Sequence, residues 1–188
     1  GPIDAMFMSN SIGLATAGRS TEEFDEIPTI RYMFDNDKTG KEKMMQKLRR
    51  GKEIFMWGAD YYAELLPNKN EGSWVVWDKR GDESADKMYG STFELCWSKA
   101  KHKRMMARVK WAGIFGMEKE HDKKRVHPTQ KPVELVVWFF DYFSLKDKTN
   151  VVDLYGGSGS TLIASEKIGK KAFVMELDPK YCDVIVKR

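Results

Sequence analysis

The chain has 188 residues, enough for one domain with a modest insertion and a core of its own. Charged residues make up 32% of it, but 32 Lys and Arg against 28 Asp and Glu leave a net charge of only +4, so base matters where it clusters. No apolar run approaches a membrane span, no signal peptide is visible, and Cys96 and Cys182 form no C-x-x-C, which suits small buried thiols in a reducing cytosol.

Gly1-Pro2 reads as a protease-cleavage remnant and is set aside. Residues 3–8, "IDAMFM", predict a short strand that runs into the polar turn "SNSIG". Residues 14–40 are rich in Gly, Thr and acid and predict a loop, and residues 41–50 predict a helix. The strand "EIFMWG" at 53–58 is apolar on successive residues, the pattern of a strand buried on both faces. "ADYYAELL" predicts a helical turn ended by Pro67, and two further strands follow at 73–79 and 92–99, joined by a charged link. Strands alternating with helices argue for an α/β domain with a mainly parallel sheet.

Between residues 99 and 126 the composition changes: ten basic residues stand against three acidic ones. A solvated loop would look like this. So would a surface that tracks phosphates, with Lys101, Lys103, Arg104, Arg108, Lys110 and Arg125 on a nucleic-acid backbone and Trp111 and Phe115 near its bases. His102, His121 and His127 lack Cys or acid partners at ligand spacing, so no metal site is expected.

The C-terminal stretch "VVDLYGGSGSTLIASEKIGKKAFVMELDP" predicts strand, glycine turn, helix, strand and acidic tip. Glycines at 156, 157 and 159 let the backbone approach a ligand closely, Gly169 suits a helix C-cap, and Glu176 stands about twenty residues beyond the turn, where an acid accepts from ribose hydroxyls. A Walker A loop is excluded because Lys171 follows Gly169-Lys170 and Ala164 occupies the other glycine position. A dinucleotide fingerprint would place Leu162 where its third glycine belongs. S-adenosylmethionine is left: it offers a ribose to Glu176 and a cationic amino acid end to Asp153, and it has no pyrophosphate.

"HPTQKPVELVVWFF" at 127–140, followed by "DLYGGSGS" and "FVMELDPKYCDV", closely resembles the amino-methylating (adenine-N6 or cytosine-N4) DNA methyltransferases of permuted motif order, many of them phage or prophage enzymes. Upstream, "IFMWGADYYAELLP", "WVVWDKR" and "FELCWS" are also similar to members of that group. The resemblance implies a Rossmann-like methyltransferase fold, a mainly parallel sheet with helices on both faces, in which the S-adenosylmethionine-binding βαβ unit is C-terminal. It implies a single domain at 1–188, with a catalytic half at 3–98, a basic DNA-contacting insertion at 99–126 and a cofactor half at 127–188. Asp153, Thr161 and the backbone of Tyr155, Gly156, Gly157, Ser158 and Gly159 would hold the methionine part, Glu176 the ribose, and Asp178 would lie near the adenine. His127, Thr129, Gln130 and Lys131 would close over the methionine end, with Pro132 in the first turn of the next helix. DNA is the implied partner, with no membrane and with room for a homodimer, in the cytoplasm of a bacterium or a phage-infected host.

One departure from the family pattern is large. Its catalytic tetrad, [DNS]-P-P-[YFW], supplies an acceptor for the target amino group and an aromatic for the extruded base, but this chain has no Pro-Pro and carries "SNSIG" after the first strand. Asn10, with Ser9 beside it, is the candidate acceptor, and Tyr32 or Phe34 the candidate aromatic. The expected activity is methylation of an exocyclic amino group in DNA, adenine N6 before cytosine N4. The alternative is a degenerate module that binds cofactor or DNA without turnover.

Overall fold

A computed structural model describes residues 5–8, 53–66, 71–80, 83, 86, 91–111, 125–143, 145 and 150–188. Seven strands form one sheet: β1 (Ala5–Met8), β2 (Glu53–Trp57), β3 (Ser73–Asp78), β4 (Phe93–Ser98), β5 (Met105–Arg108), β6 (Asn150–Asp153) and β7 (Lys171–Val174). Their spatial order is β5-β3-β4-β2-β1-β6-β7. The helices among the described residues are α1 (Val133–Tyr142), α2 (Ser160–Lys167) and α3 (Pro179–Lys187), and a 3-10 helix spans Ala59–Leu65.

Strand direction divides the sheet into two rims. β1 is parallel to β2 and β6, β6 to β7, and β3 to β5, while β4 is antiparallel to both β2 and β3. Six of the described strands therefore end at one rim, here called the C-terminal rim, and β4 begins there. The predicted mainly parallel sheet is present, and every residue of β2 is buried, as its unbroken apolar run requires.

α1 covers one face of the sheet. Val133, Leu135, Val136, Phe139 and Phe140 are its buried stripe, and they share a core with Phe55, Trp57, Val75, Trp77 and Cys96. Phe139 meets Phe55 edge-on at 4.8 Å and Trp57 at 5.4 Å between ring centroids, which fixes the end of β2. Pro132 is extended, with φ −66° and ψ 144°, and stands at the N-cap just before α1 rather than within its first turn. No helix among the described residues is long and apolar enough to cross a membrane.

Three further sequence expectations change. Residues 105–108 of the basic segment are strand β5 at the sheet edge, with Met105 and Ala107 buried and Met106 and Arg108 exposed. The alternation continues: Val109 and Trp111 are buried in the core, and their N–H groups donate to Asp78 and Lys79 carbonyls at 3.3 and 2.9 Å. Trp111 therefore packs the core instead of facing bases. Cys96 is buried as expected, but Cys182 is exposed on α3, because its helix turns that side to solvent. Phe115, His121, Tyr32, Phe34 and the predicted loop and helix over 14–50 lie outside the described residues.

Candidate functional site

β1 and β6 are neighbours from distant parts of the chain, and from them the strand order runs outward in opposite directions. Such a switch point opens a crevice beyond the C-terminal ends of the strands. Asp153 ends β6 there, paired in register with Phe7 of β1. Its Oδ1 accepts from the Tyr155 N–H at 3.0 Å and its Oδ2 from the Thr161 hydroxyl at 2.6 Å, so one carboxylate ties the strand to both the turn and α2. Burial pushes its pKa up to about 6, against the lowering effect of those two bonds. Burial, reinforced by Asp153, also raises the Tyr155 phenol.

The turn is tight because its glycines have no side chains to accommodate. A Cβ on Gly156 would lie 2.5 Å from Val174 Cγ1, and the Gly156 N–H donates to the Met175 carbonyl at 2.7 Å. Gly157 has φ +53°, a left-handed conformation, and the His127 ring stands 3.5 Å from where its Cβ would be. Its N–H donates to Glu176 Oε2 at 2.6 Å, while Glu176 Oε1 accepts from the Asp178 N–H at 2.9 Å. Glu176 thus braces the turn from beyond β7. Each of its oxygens keeps further lone pairs for a ligand. Asp178 caps α3, accepting from the Lys180 N–H at 2.9 Å. Across the turn, Arg188 donates to the Ser158 carbonyl at 2.6 Å.

The segment before α1 forms the opposite wall. The Ser160 hydroxyl donates to the Lys131 carbonyl at 2.6 Å, pinning this segment to the first residue of α2. His127 Nδ1 accepts from the Thr129 N–H at 3.2 Å, and its ring meets Tyr181 edge-on at 4.2 Å. Burial lowers its pKa to about 4, helped by the nearby charges of Lys131 and Arg125, so the imidazole is neutral at pH 7. Gln130 Oε1 accepts from the Val126 N–H at 2.8 Å. Lys131 is buried, and its ammonium lies 5.2 Å from the Trp57 ring centroid and 3.5 Å from Glu94 Oε2.

Between these walls lies a cavity of about 40 Å³, which admits the end of a larger ligand rather than the whole of it. Asp153, Tyr155, Gly156, Gly157, Ser158 and Thr161 line one side. His127, Thr129, Gln130 and Lys131 line the other. Gly159, Glu176 and Asp178 are outside its wall. Trp57, Val136 and Ser160 join the lining without having been expected. Trp57 had one sequence signal, its position as the last residue of a fully buried strand before Gly58.

The basic residues separate. Lys101, Lys103 and Arg104 precede β5 and run along the N-terminal rim, where the Ala100 N–H donates to Glu53 at 3.0 Å and the His102 N–H to Ser73 at 2.8 Å. Arg108 ends β5 and Lys110 follows, at the C-terminal rim with the cavity. Arg125 donates to the His127 carbonyl at 3.2 Å, beside the cavity wall. Ser9 and Asn10 lie outside the described residues, next in sequence to the end of β1.

A family model described as DNA methylase, covering N6 and N4 methyltransferases, matches residues 32–187. No curated protein matches the chain. Solved structures share its fold. The M1.HpyAVI–SAM complex is 19% identical with a TM-score of 0.54, over 100% of this chain and 89% of that one. TTHA0409 of Thermus thermophilus is 15% identical with a TM-score of 0.57, over 100% and 86%. The cytosine-N4-specific PvuII DNA methyltransferase is 10% identical with a TM-score of 0.55, over 98% and 78%.

Proposed function

The chain belongs to the DNA methylase family of N6 and N4 methyltransferases, and from that premise we propose that it methylates an exocyclic amino group of a DNA base, adenine N6 before cytosine N4, using S-adenosylmethionine. One observation carries the reading: a buried carboxylate, Asp153, and a buried cation, Lys131, line the same small cavity at the switch point of the sheet. That pair suits a zwitterion. Lys131 would hold the carboxylate of the cofactor's amino acid end and Asp153 its ammonium, with the narrow glycine turn leaving room for backbone contact. Glu176 retains acceptor capacity for ribose hydroxyls and Asp178 stands next to it for the adenine. When bound, the cofactor supplies an electrophilic methyl group.

The protein's part is positioning. The rigid wall of Trp57, fixed by Trp77 and Phe139, and the Asp153–Thr161–Tyr155 brace hold the cavity in one shape, so alignment is set before the base arrives. The permuted order fits this arrangement, since the strand expected to deliver the acceptor, β1, precedes the cofactor unit in the chain and lies beside it in space. Asn10, shortly after β1, is assigned as acceptor for the amino protons, with Ser9 beside it. Arg108, Lys110 and Arg125 are assigned to DNA phosphates near the cavity, and Lys101, Lys103 and Arg104 to more distant ones or to none. The 1–188 chain is assigned as one domain in which 3–98 serves catalysis and 127–188 the cofactor.

A second reading is favoured by the absence of Pro-Pro: a degenerate methyltransferase module that binds cofactor or DNA without turnover. Transfer of tritiated methyl to mixed duplex DNA, with digestion and identification of the nucleoside, separates the two. N6-methyladenine is the expected product, and Asn10→Ala should abolish its formation while cofactor affinity stays within about twofold. Cofactor binding with no transfer to any duplex would establish the second reading instead.

A further inference from the structure

Glu94 has no place in the cofactor assignment above, yet it is drawn into the site by the topology. β4 runs against its neighbours, so its N-terminal end reaches the rim where β2, β3 and β6 finish. Glu94 lies opposite Trp77 of β3, two residues from Cys96, which pairs with Trp57. Its two oxygens take different cations: Oε1 is 3.3 Å from Lys79 and Oε2 is 3.5 Å from Lys131. Burial would push its carboxyl up, but Lys131 and Lys79 together hold it below the usual carboxylate value, so it is charged at neutral pH.

Lys131 is the electrostatic centre of this wall. Its charge acts on Asp153, on His127 and on Glu94, and its ammonium sits over Trp57. A lysine stem has four rotatable bonds, and a buried ammonium fixed only by a ring face would be poorly placed for a bidentate or directional contact. We propose that Glu94 is a positioning residue for the cofactor's amino acid end: with Trp57 it fixes the Lys131 ammonium at the cavity wall, where Lys131 meets the carboxylate of S-adenosylmethionine. Lys79 neutralises the remaining half of Glu94, so the trio carries one net positive charge toward an anionic group. The inference rests on the cofactor reading of the cavity and names a residue that contacts no ligand itself.

The test compares two ligands by calorimetry on the full chain. S-adenosylmethionine has the amino acid end, and 5′-methylthioadenosine keeps the nucleoside and lacks it. Glu94→Gln should weaken S-adenosylmethionine about tenfold and leave methylthioadenosine within about twofold; Lys131→Met should do the same. The double variant should lose no more than either single one, because the two residues act as a unit. Glu94→Asp, which keeps the charge, should recover part of the loss and covers the case in which Glu94→Gln folds poorly. Equal weakening of both ligands, unchanged affinity, tighter binding in Glu94→Gln, or additive losses in the double variant would each overturn the proposal. If the unmodified chain binds no S-adenosylmethionine, the cofactor reading itself fails, and that is known before any variant is measured.

Discussion

The two rims of the sheet both hold buried polar groups and use them differently. At the N-terminal rim, Glu53 Oε1 accepts from the Ile54 N–H, the Ser98 hydroxyl and the Ala100 N–H at 2.9, 3.2 and 3.0 Å, and Ser73 both accepts from the His102 N–H and donates to its carbonyl. These bonds close the chain on itself. At the C-terminal rim, Asp153 and Lys131 are also held by the protein's own groups, but both border a cavity. A buried charge with all its partners in the fold is architecture. One that is braced and still faces open space can bind something.

The largest expected contrast is in stability. Glu53→Ala removes an acceptor shared by three donors and should cost on the order of 2 kcal/mol in chemical denaturation, with S-adenosylmethionine affinity changed by less than twofold. A large loss of cofactor affinity in that variant would erase the distinction between the rims.

Charge neutralisation sharpens the comparison further. Arg108→Gln with Lys110→Gln, at the cavity rim, should weaken duplex binding for all sequences alike and lower the steepness of its salt dependence by about 1.8, roughly 0.9 for each phosphate that is no longer neutralised. Lys101→Gln with Lys103→Gln, at the opposite rim, should change that slope by less. Filter binding across salt concentrations reads both, and the reverse ranking would move the DNA to the other rim.

The smallest effect is in pH. Asp153 titrates near 6 because it is buried, so affinity for a cationic ligand end should decline as pH falls through that value, and Asp153→Asn should remove the decline. For stability the sign is opposite. The favourable contribution of a protonated Asp153 is fully present below its ordinary value of 3.8 and is lost as pH rises through about 6. His127 behaves the other way: its contribution is present above 6.5 and is lost as pH falls through about 4. Its ring resonances in an NMR titration should therefore stay in the neutral form down to about that pH.

The rims were unequally legible in the sequence. The glycine turn is readable because strand, turn and helix are contiguous, and each glycine answers a local steric demand, such as the approach of Val174 to Gly156. β5 was hidden because the alternation of Met105 and Ala107, continued beyond the strand by Val109 and Trp111, is interleaved with Arg108 and Lys110, and composition masks a period of two. The splitting of the basic cluster between rims followed from that strand and could not be read without it. Glu94 and Trp57 were missed for a different reason. Their nearness to Lys131 depends on one antiparallel strand and on pairings between residues far apart in sequence, which no local pattern encodes.

Calorimetric titration of S-adenosylmethionine into the unmodified chain, Asp153→Ala and Glu53→Ala at one pH near 7.5 tests most directly whether the C-terminal rim is the cofactor site. Binding by the unmodified chain and by Glu53→Ala within about twofold, with at least a tenfold loss in Asp153→Ala, about 1.4 kcal/mol, is the predicted result. Equal affinity in all three would contradict it, since Asp153 would then brace its turn as Glu53 braces the other rim and nothing more.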